Sequence, residues 1–172
     1  ILVQMSRSME QPYVVVGATG ILAPLAALLP AGARRIGVAR ERALLAGHWD
    51  EVRLLDGHDA SAVAALVTDV PTSFSVIAYS PTVSAMTWEL LCRNADRRVI
   101  VLPSAYAAPG ADISMWLAPG DVTVCQLGWH GPPGRALWHT AAEISAGCAS
   151  ALAAPPGHRL TVGRVRPWSE RP

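Results

Sequence analysis

The sequence predicts an α/β protein, a doubly wound, mostly parallel sheet with helices on both faces. Two observations carry this expectation. Short runs rich in Val, Ile and Leu alternate with segments of helical pattern, at intervals too short for an all-β protein. The first run, Tyr13-Val14-Val15-Val16, passes directly into Gly17-Ala18-Thr19-Gly20 and then into an apolar stretch from Ile21 to Leu29, the order of a buried strand, a tight turn and a helix. With 172 residues, 51% of them hydrophobic, the chain has enough apolar material for one domain and too little length for two.

The remaining elements follow in order. Arg34 to Ala39 is expected as the second strand, Glu41 to Ala46 as a short helix and Glu51 to Leu55 as the third strand. Asp59 has the side chain of a helix cap, and the helix it opens runs to Thr68. Phe74 to Tyr79 is the fourth strand, Val83 to Asn94 a helix, Val99 to Leu102 the fifth strand and Val122 to Leu127 the sixth. Leu137 to Ala153 has the pattern of the longest helix, and Leu160 to Val165 closes the sheet. Two Pro/Gly-rich stretches, Ala107 to Gly120 and Gly131 to Gly134, flank the sixth strand. Residues 1–12 are expected to form a loose tail before a single domain at 13–172, and an initial Ile suggests a start inside a longer reading frame.

Composition narrows the function. Charged residues are 16% of the chain and the formal net charge is +1, so neither nucleic acid nor an anionic membrane is an expected partner. Cys92, Cys125 and Cys148 are odd in number, far apart and set among apolar residues, as expected of core packing in a reducing, cytoplasmic setting. They and the five histidines lack the spacing of a metal site, and none is expected. The cations are all arginine, so lysine chemistry is closed to this chain.

The opening segment admits a second reading. Arg7 precedes an uncharged run that ends at the small residues Ala31-Gly32-Ala33, as in a secretion signal. Pro24, Pro30 and the glycines break that run, and a membrane span needs about 20 uninterrupted apolar residues. A strand, a turn and a helix account for each residue instead. Gly17 and Gly20 permit a tight turn and close approach of backbone to a ligand, and a helix starting at Ile21 would point its first amides at a phosphate.

The stretch Gly17-Ala18-Thr19-Gly20-Ile21-Leu22-Ala23 resembles the G-A-T-G-x-x-G fingerprint of the short-chain dehydrogenase/reductase superfamily, in its extended or atypical branch, with Ala23 in place of the third glycine. The resemblance spans about residues 13–166. It implies a Rossmann-like domain and a nicotinamide dinucleotide held by Gly17, Thr19, Gly20, Ile21 and Leu22. Arg40, at the end of the second strand, suits a 2′-phosphate and makes NADP the expected cofactor over NAD, with Arg42 able to assist. Asp56 matches the acid that meets the adenine amino group. Tyr79 and Ser80 follow the fourth strand, where the family's backbone passes the nicotinamide ribose.

One departure bears on mechanism. In the superfamily a tyrosine donates the proton, aided by a lysine four residues later, but Tyr13, Tyr79 and Tyr106 are followed at that distance by Gly17, Val83 and Gly110. Without an ammonium nearby a phenol keeps a pKa near about 10 and is a poor acid at neutral pH. Ser104 lies where the family's serine is expected, Tyr106 two residues on, and His130 in the loop Gln126 to Pro132 is an imidazole suited to proton transfer. His139 and Glu143, four apart, are expected as a surface pair. These readings imply an NADP(H)-binding oxidoreductase for a small apolar carbonyl or imine. The same residues also admit a redox-silent nucleotide-binding sensor or assembly protein, or a non-redox isomerase or cyclase in the same cleft. Helix 137–153 is apolar enough to mediate a homodimer.

Overall fold

Residues 11–42, 48–70 and 73–172 are described by a computed structural model. Seven strands, β1 (Tyr13–Val16), β2 (Arg35–Ala39), β3 (Glu51–Leu54), β4 (Phe74–Tyr79), β5 (Ala95–Leu102), β6 (Val122–Leu127) and β9 (Arg159–Val162), form one sheet in the order β3-β2-β1-β4-β5-β6-β9. Every pairing in it is parallel. A separate antiparallel hairpin joins β7 (Trp129–His130) to β8 (Leu137–Trp138). The chain order reverses between β1 and β4, which opens a crevice at the carboxyl ends of the strands.

Alternation along the strands supplies two cores. Val14, Val16, Ile100 and Leu102 face helices α2 (Ala60–Asp69), α3 (Ala85–Cys92) and α4 (Ser114–Leu117), together with buried Trp88 and Trp116. Val15, Val99 and Val101 face α1 (Leu25–Leu28) and α5 (Ala141–Ala153). Asp59 caps α2 as expected, its carboxylate accepting from the amides of Ser61 and Ala62. The three cysteines are buried and free, and burial pushes the Cys92 thiol well above its ordinary pKa. Among the described residues no helix is long and apolar enough to cross a membrane.

Three expectations are corrected. The helix placed at Ile21 to Leu29 is a 3-10 turn at Gly20–Leu22 followed by the four-residue α1. Pro24 has no amide to give a continuous helix and its ring crowds the carbonyl one turn back, while Pro30 stops α1 behind it. Strand β5 starts at Ala95, four residues before the expected Val99, because its charged residues find carbonyl partners: Arg97 donates to the carbonyls of Ala151 (3.2 Å) and Leu152 (3.1 Å), and Arg98 to those of Pro119 (3.0 Å) and Gly120 (2.9 Å). The long helix begins at Ala141, since Thr140 and Glu143 form a reciprocal capping box and Leu137–Trp138 belongs to the hairpin. The stretch Ala107 to Gly120 contains α4, pinned where Trp88 Nε1 donates to the Trp116 carbonyl at 2.9 Å.

The expected helix at Glu41 to Ala46 lies outside the described residues beyond Arg42, as do residues 1–10 of the expected tail. Pro12 is buried, and its carbonyl accepts from the Ser75 amide at 2.9 Å, so ordered packing begins before β1.

Candidate functional site

Two adjoining concavities occupy the carboxyl edge of the sheet. The first, about 120 Å³, is lined by residues that end β1, β2 and β3 or follow them directly, Gly17, Thr19, Arg40 and Asp56 among them, with Pro81 and Thr82 opposite. Arg40 is exposed and makes no hydrogen bond or ion pair with a described residue, so its guanidinium is available to an anion. The Asp56 carboxylate accepts from the His58 amide (3.0 Å) and lies 3.1 Å from His58 Nδ1, contacts that hold its pKa below the ordinary aspartate value.

The glycine turn forms the wall between the concavities. Gly17 has φ +84°, and a Cβ there would stand 3.0 Å from Thr82 Cγ2 and Oγ1 and 3.3 Å from Tyr79 Cβ, so only glycine lets the turn lie this close to the end of β4. Gly20, at φ +59°, faces open space, with nothing within 4 Å of the Cβ position. The amides of Gly17 and Ala18 both donate to the Val38 carbonyl at 3.1 Å. The amides of Thr19, Gly20 and Ile21, ahead of the first bond of the 3-10 turn, have no backbone partner among the described residues outside that turn and are the donors left for a phosphate. Ser145 of α5 donates to the Ile21 carbonyl at 3.0 Å and holds the turn from behind. The Leu22 side chain is fully buried in the core, so that residue could meet a ligand only through its backbone.

The second concavity, about 260 Å³, is lined by Ile21, Tyr79, Pro103, Ser104, Leu127, Gly128, Trp138, His139, Ile144 and Arg171. Ser104 is 7% exposed, and its Oγ accepts from Arg171 Nε at 3.0 Å. A hydroxyl that accepts here retains its own O–H for a ligand. Fully buried Gln126 positions this loop, its Nε2 donating to the carbonyls of Leu102 (3.2 Å), Pro103 (2.9 Å) and Leu127 (3.1 Å) while Oε1 accepts from Arg159 at 3.0 Å. Burial raises the pKa of Tyr79, which keeps its phenol protonated. Ser80 is buried, and its Oγ has no hydrogen-bond partner among the described residues.

The other expected site residues lie elsewhere. Tyr106 does not join Ser104; its ring packs edge-on against Trp116 (6.1 Å), and it lines a separate cleft with Arg159 and Arg166. His130 stands behind the second concavity, 4.8 Å from the ring of His139. His139, expected in a surface pair, has a side chain only 9% exposed; it precedes α5 and reaches the cavity wall with Nδ1 3.5 Å from Glu143. Neither ring nitrogen of His139 has a hydrogen bond to a described residue. The ligand atoms of His130, His139 and Glu143 lie within 4.8 Å of one another. Tetrahedral zinc brings its ligands to about 3.3 Å, given bonds of about 2.05 Å, so these rings would have to shift to hold one.

Of the residues that line this cavity, His139 is expected from the sequence only in a surface pair, and Arg171 is not among the expected site residues. Trp138 and His139 fall within the stretch expected as the long helix from Leu137 to Ala153, whereas Arg171 has no local signal at all.

A wholly parallel sheet in this strand order, helices on both faces and a glycine turn at the β1 end together define a Rossmann fold. Solved structures share it. A Rossmann-fold NAD(P)-binding family protein from Shigella flexneri superposes with a TM-score of 0.59 at 12% identity, over 86% of this chain and 89% of its own. A short-chain dehydrogenase/reductase from Vibrio parahaemolyticus gives 0.59 at 17% identity over 88% and 99%. An NADPH-bound short-chain oxidoreductase from Pseudomonas aeruginosa PAO1 containing an atypical catalytic center gives 0.51 at 15% over 88% and 94%. No protein-family model and no curated protein matches the sequence.

Proposed function

We propose that the protein binds a nicotinamide dinucleotide, NADP(H) in preference to NAD(H), along the carboxyl edge of the sheet and reduces a small, rather apolar carbonyl or imine. The observation that carries this reading is the pair of adjoining concavities on either side of the glycine turn, one lined by Arg40 and Asp56, the other by Tyr79 and Ser104. The residues suit the cofactor: Gly20 has open space where a phosphate would lie, and Arg40, an exposed cation with no hydrogen bond or ion pair to a described residue, lines the cavity where the ribose phosphate of NADP would end. When bound, the nicotinamide supplies a hydride.

The chain's own residues would do the rest. The free O–H of Ser104, polarised by Arg171, orients the substrate carbonyl or imine. His139, rather than His130, is the imidazole on the cavity wall and is assigned the proton that balances hydride addition, a role that requires its ring to turn, because both ring nitrogens are buried and have no hydrogen bond to a described residue. Tyr79 closes the cleft as a neutral phenol. Ile21, Leu127 and Ile144 exclude water from the reacting centre.

Titration with NADPH and NADH, followed by tryptophan emission, tests the reading. NADPH should bind more tightly, and Arg40→Ala should weaken it about 10-fold, the worth of one charge-assisted contact, while leaving NADH nearly unchanged. NADPH affinity indifferent to Arg40→Ala would remove the discriminator, and saturable binding of neither nucleotide would end the whole reading. The redox-silent alternative draws on the separation of Tyr106 from Ser104. It requires NADPH to bind and never be oxidised across a panel of carbonyls and imines.

A further inference from the structure

Arg171 is held in an unusual setting. Its guanidinium carbon lies 5.0 Å from the Trp138 ring centroid and 5.3 Å from that of Trp168, so the cation rests against two indoles. Nε is committed to Ser104 Oγ at 3.0 Å, which leaves the two Nη groups with no hydrogen bond to a described residue. The segment carrying it is braced: Trp168 packs edge-on against fully buried Trp129 at 5.9 Å, and neighbouring Glu170 pairs with Arg164 at 2.8 Å. The nearest acid in sequence is therefore occupied elsewhere. Among the described residues the wall of this cavity contains no aspartate or glutamate, and Ile21, Leu127 and Ile144 make its floor apolar.

We infer that the second concavity is built for a small organic acid, its carboxylate taken by the free Nη edge of Arg171 and its apolar body lying on Ile21, Leu127 and Ile144. An exposed guanidinium that rests against two indoles and is fixed through Nε presents two parallel donors, the geometry that matches a carboxylate. One fixed positive charge suits a monoanion. The volume, about 260 Å³, falls just below the range of about 300–1,000 Å³ usual for drug-sized ligands, which favours a small molecule. The inference takes this cleft as the substrate end of the site proposed above, and narrows its substrate to a keto, aldehyde or imino compound that also bears a carboxylate.

Calorimetric titration of the full chain, with and without NADPH, with matched acid and amide pairs tests it: acetate and acetamide, butyrate and butyramide, benzoate and benzamide, 3-phenylpropionate and 3-phenylpropionamide. At least one acid should bind about 10-fold or more tightly than its amide, the worth of a charge-assisted pair, and Arg171→Gln should abolish that preference without changing NADPH affinity. Arg171→Lys, which keeps the charge and loses the fork, should retain part of the preference and gives an independent comparison should the glutamine variant fold poorly. The inference is overturned if no acid outbinds its amide, or if the preference survives both substitutions undiminished. It is equally overturned if Arg171→Gln weakens NADPH instead, because the guanidinium would then serve the cofactor's phosphates. Acid preference in a protein that binds neither dinucleotide would leave this inference standing and remove the nucleotide reading alone.

Discussion

The two concavities differ in how they are assembled. Most of the wall of the first comes from the ends of three adjacent parallel strands and the residues directly after them, Val16 to Thr19, Val38 to Arg40 and Leu55 to His58. The second draws single residues from the glycine turn, the ends of β4, β5 and β6, the hairpin, the start of α5 and the segment at Arg171. The first is a consequence of strand order; the second exists only if distant segments pack correctly. Mutations that separate the two therefore test which part of the edge depends on which forces.

Gly17→Ala should have the largest effect, because the turn walls both cavities. Its φ of +84° and the 3.0 Å approach to Thr82 add backbone strain to a steric clash, together about 2–4 kcal/mol, read as a fall in melting temperature with loss of nucleotide binding. Gln126→Leu should cost about 1–3 kcal/mol by stranding buried carbonyls at the ends of β5 and β6. It should loosen the Ser104 loop while NADPH affinity, which the proposed function assigns chiefly to the first concavity, changes little; equal loss in both would show that the cavities are not separable. Ser145→Ala removes one hydrogen bond to the glycine turn and should cost about 1 kcal/mol in denaturant titration.

The smallest effect concerns pH. The Thr140 amide and hydroxyl both donate to Glu143, and the amide bond is the larger cause of its lowered pKa. A carboxylate whose folded pKa lies below its unfolded value stabilises fully above the ordinary glutamate range and loses that contribution as pH falls through the depressed value. Glu143→Gln should therefore flatten the acid side of a melting-temperature profile and leave the slope above neutrality unchanged.

Legibility in the sequence tracks the same division. Strand β4, strand β6 and the Asp59 cap were placed closely, because a β-branched run or a capping carboxylate is a local signal. Gly17, Thr19, Arg40 and Asp56 follow strands at short intervals, and strand order alone brings them to one cavity. Structure and expectation differ where a local pattern has two solutions. Arg97 and Arg98 look foreign to a central parallel strand until the carbonyls they reach are known, and Leu137–Trp138 fits an apolar helix face until the hairpin claims it. Ser104 and Tyr106, two residues apart in a short 3-10 turn, end in different cavities.

By itself, then, the sequence determined the α/β alternation, the glycine turn and the residues that end each strand, because these depend on backbone preference and on interactions spanning a few residues. The packing of β7, β8, α5 and the Trp168 to Arg171 segment decided the rest: that α1 would be a single turn supported by α5, that the His139 side chain would be largely enclosed, and that Arg171 would lie against two indoles and Ser104. Those outcomes depend on contacts between residues as far apart as Ile21 and Ser145 or Ser104 and Arg171, and no local pattern specifies which pairs will meet.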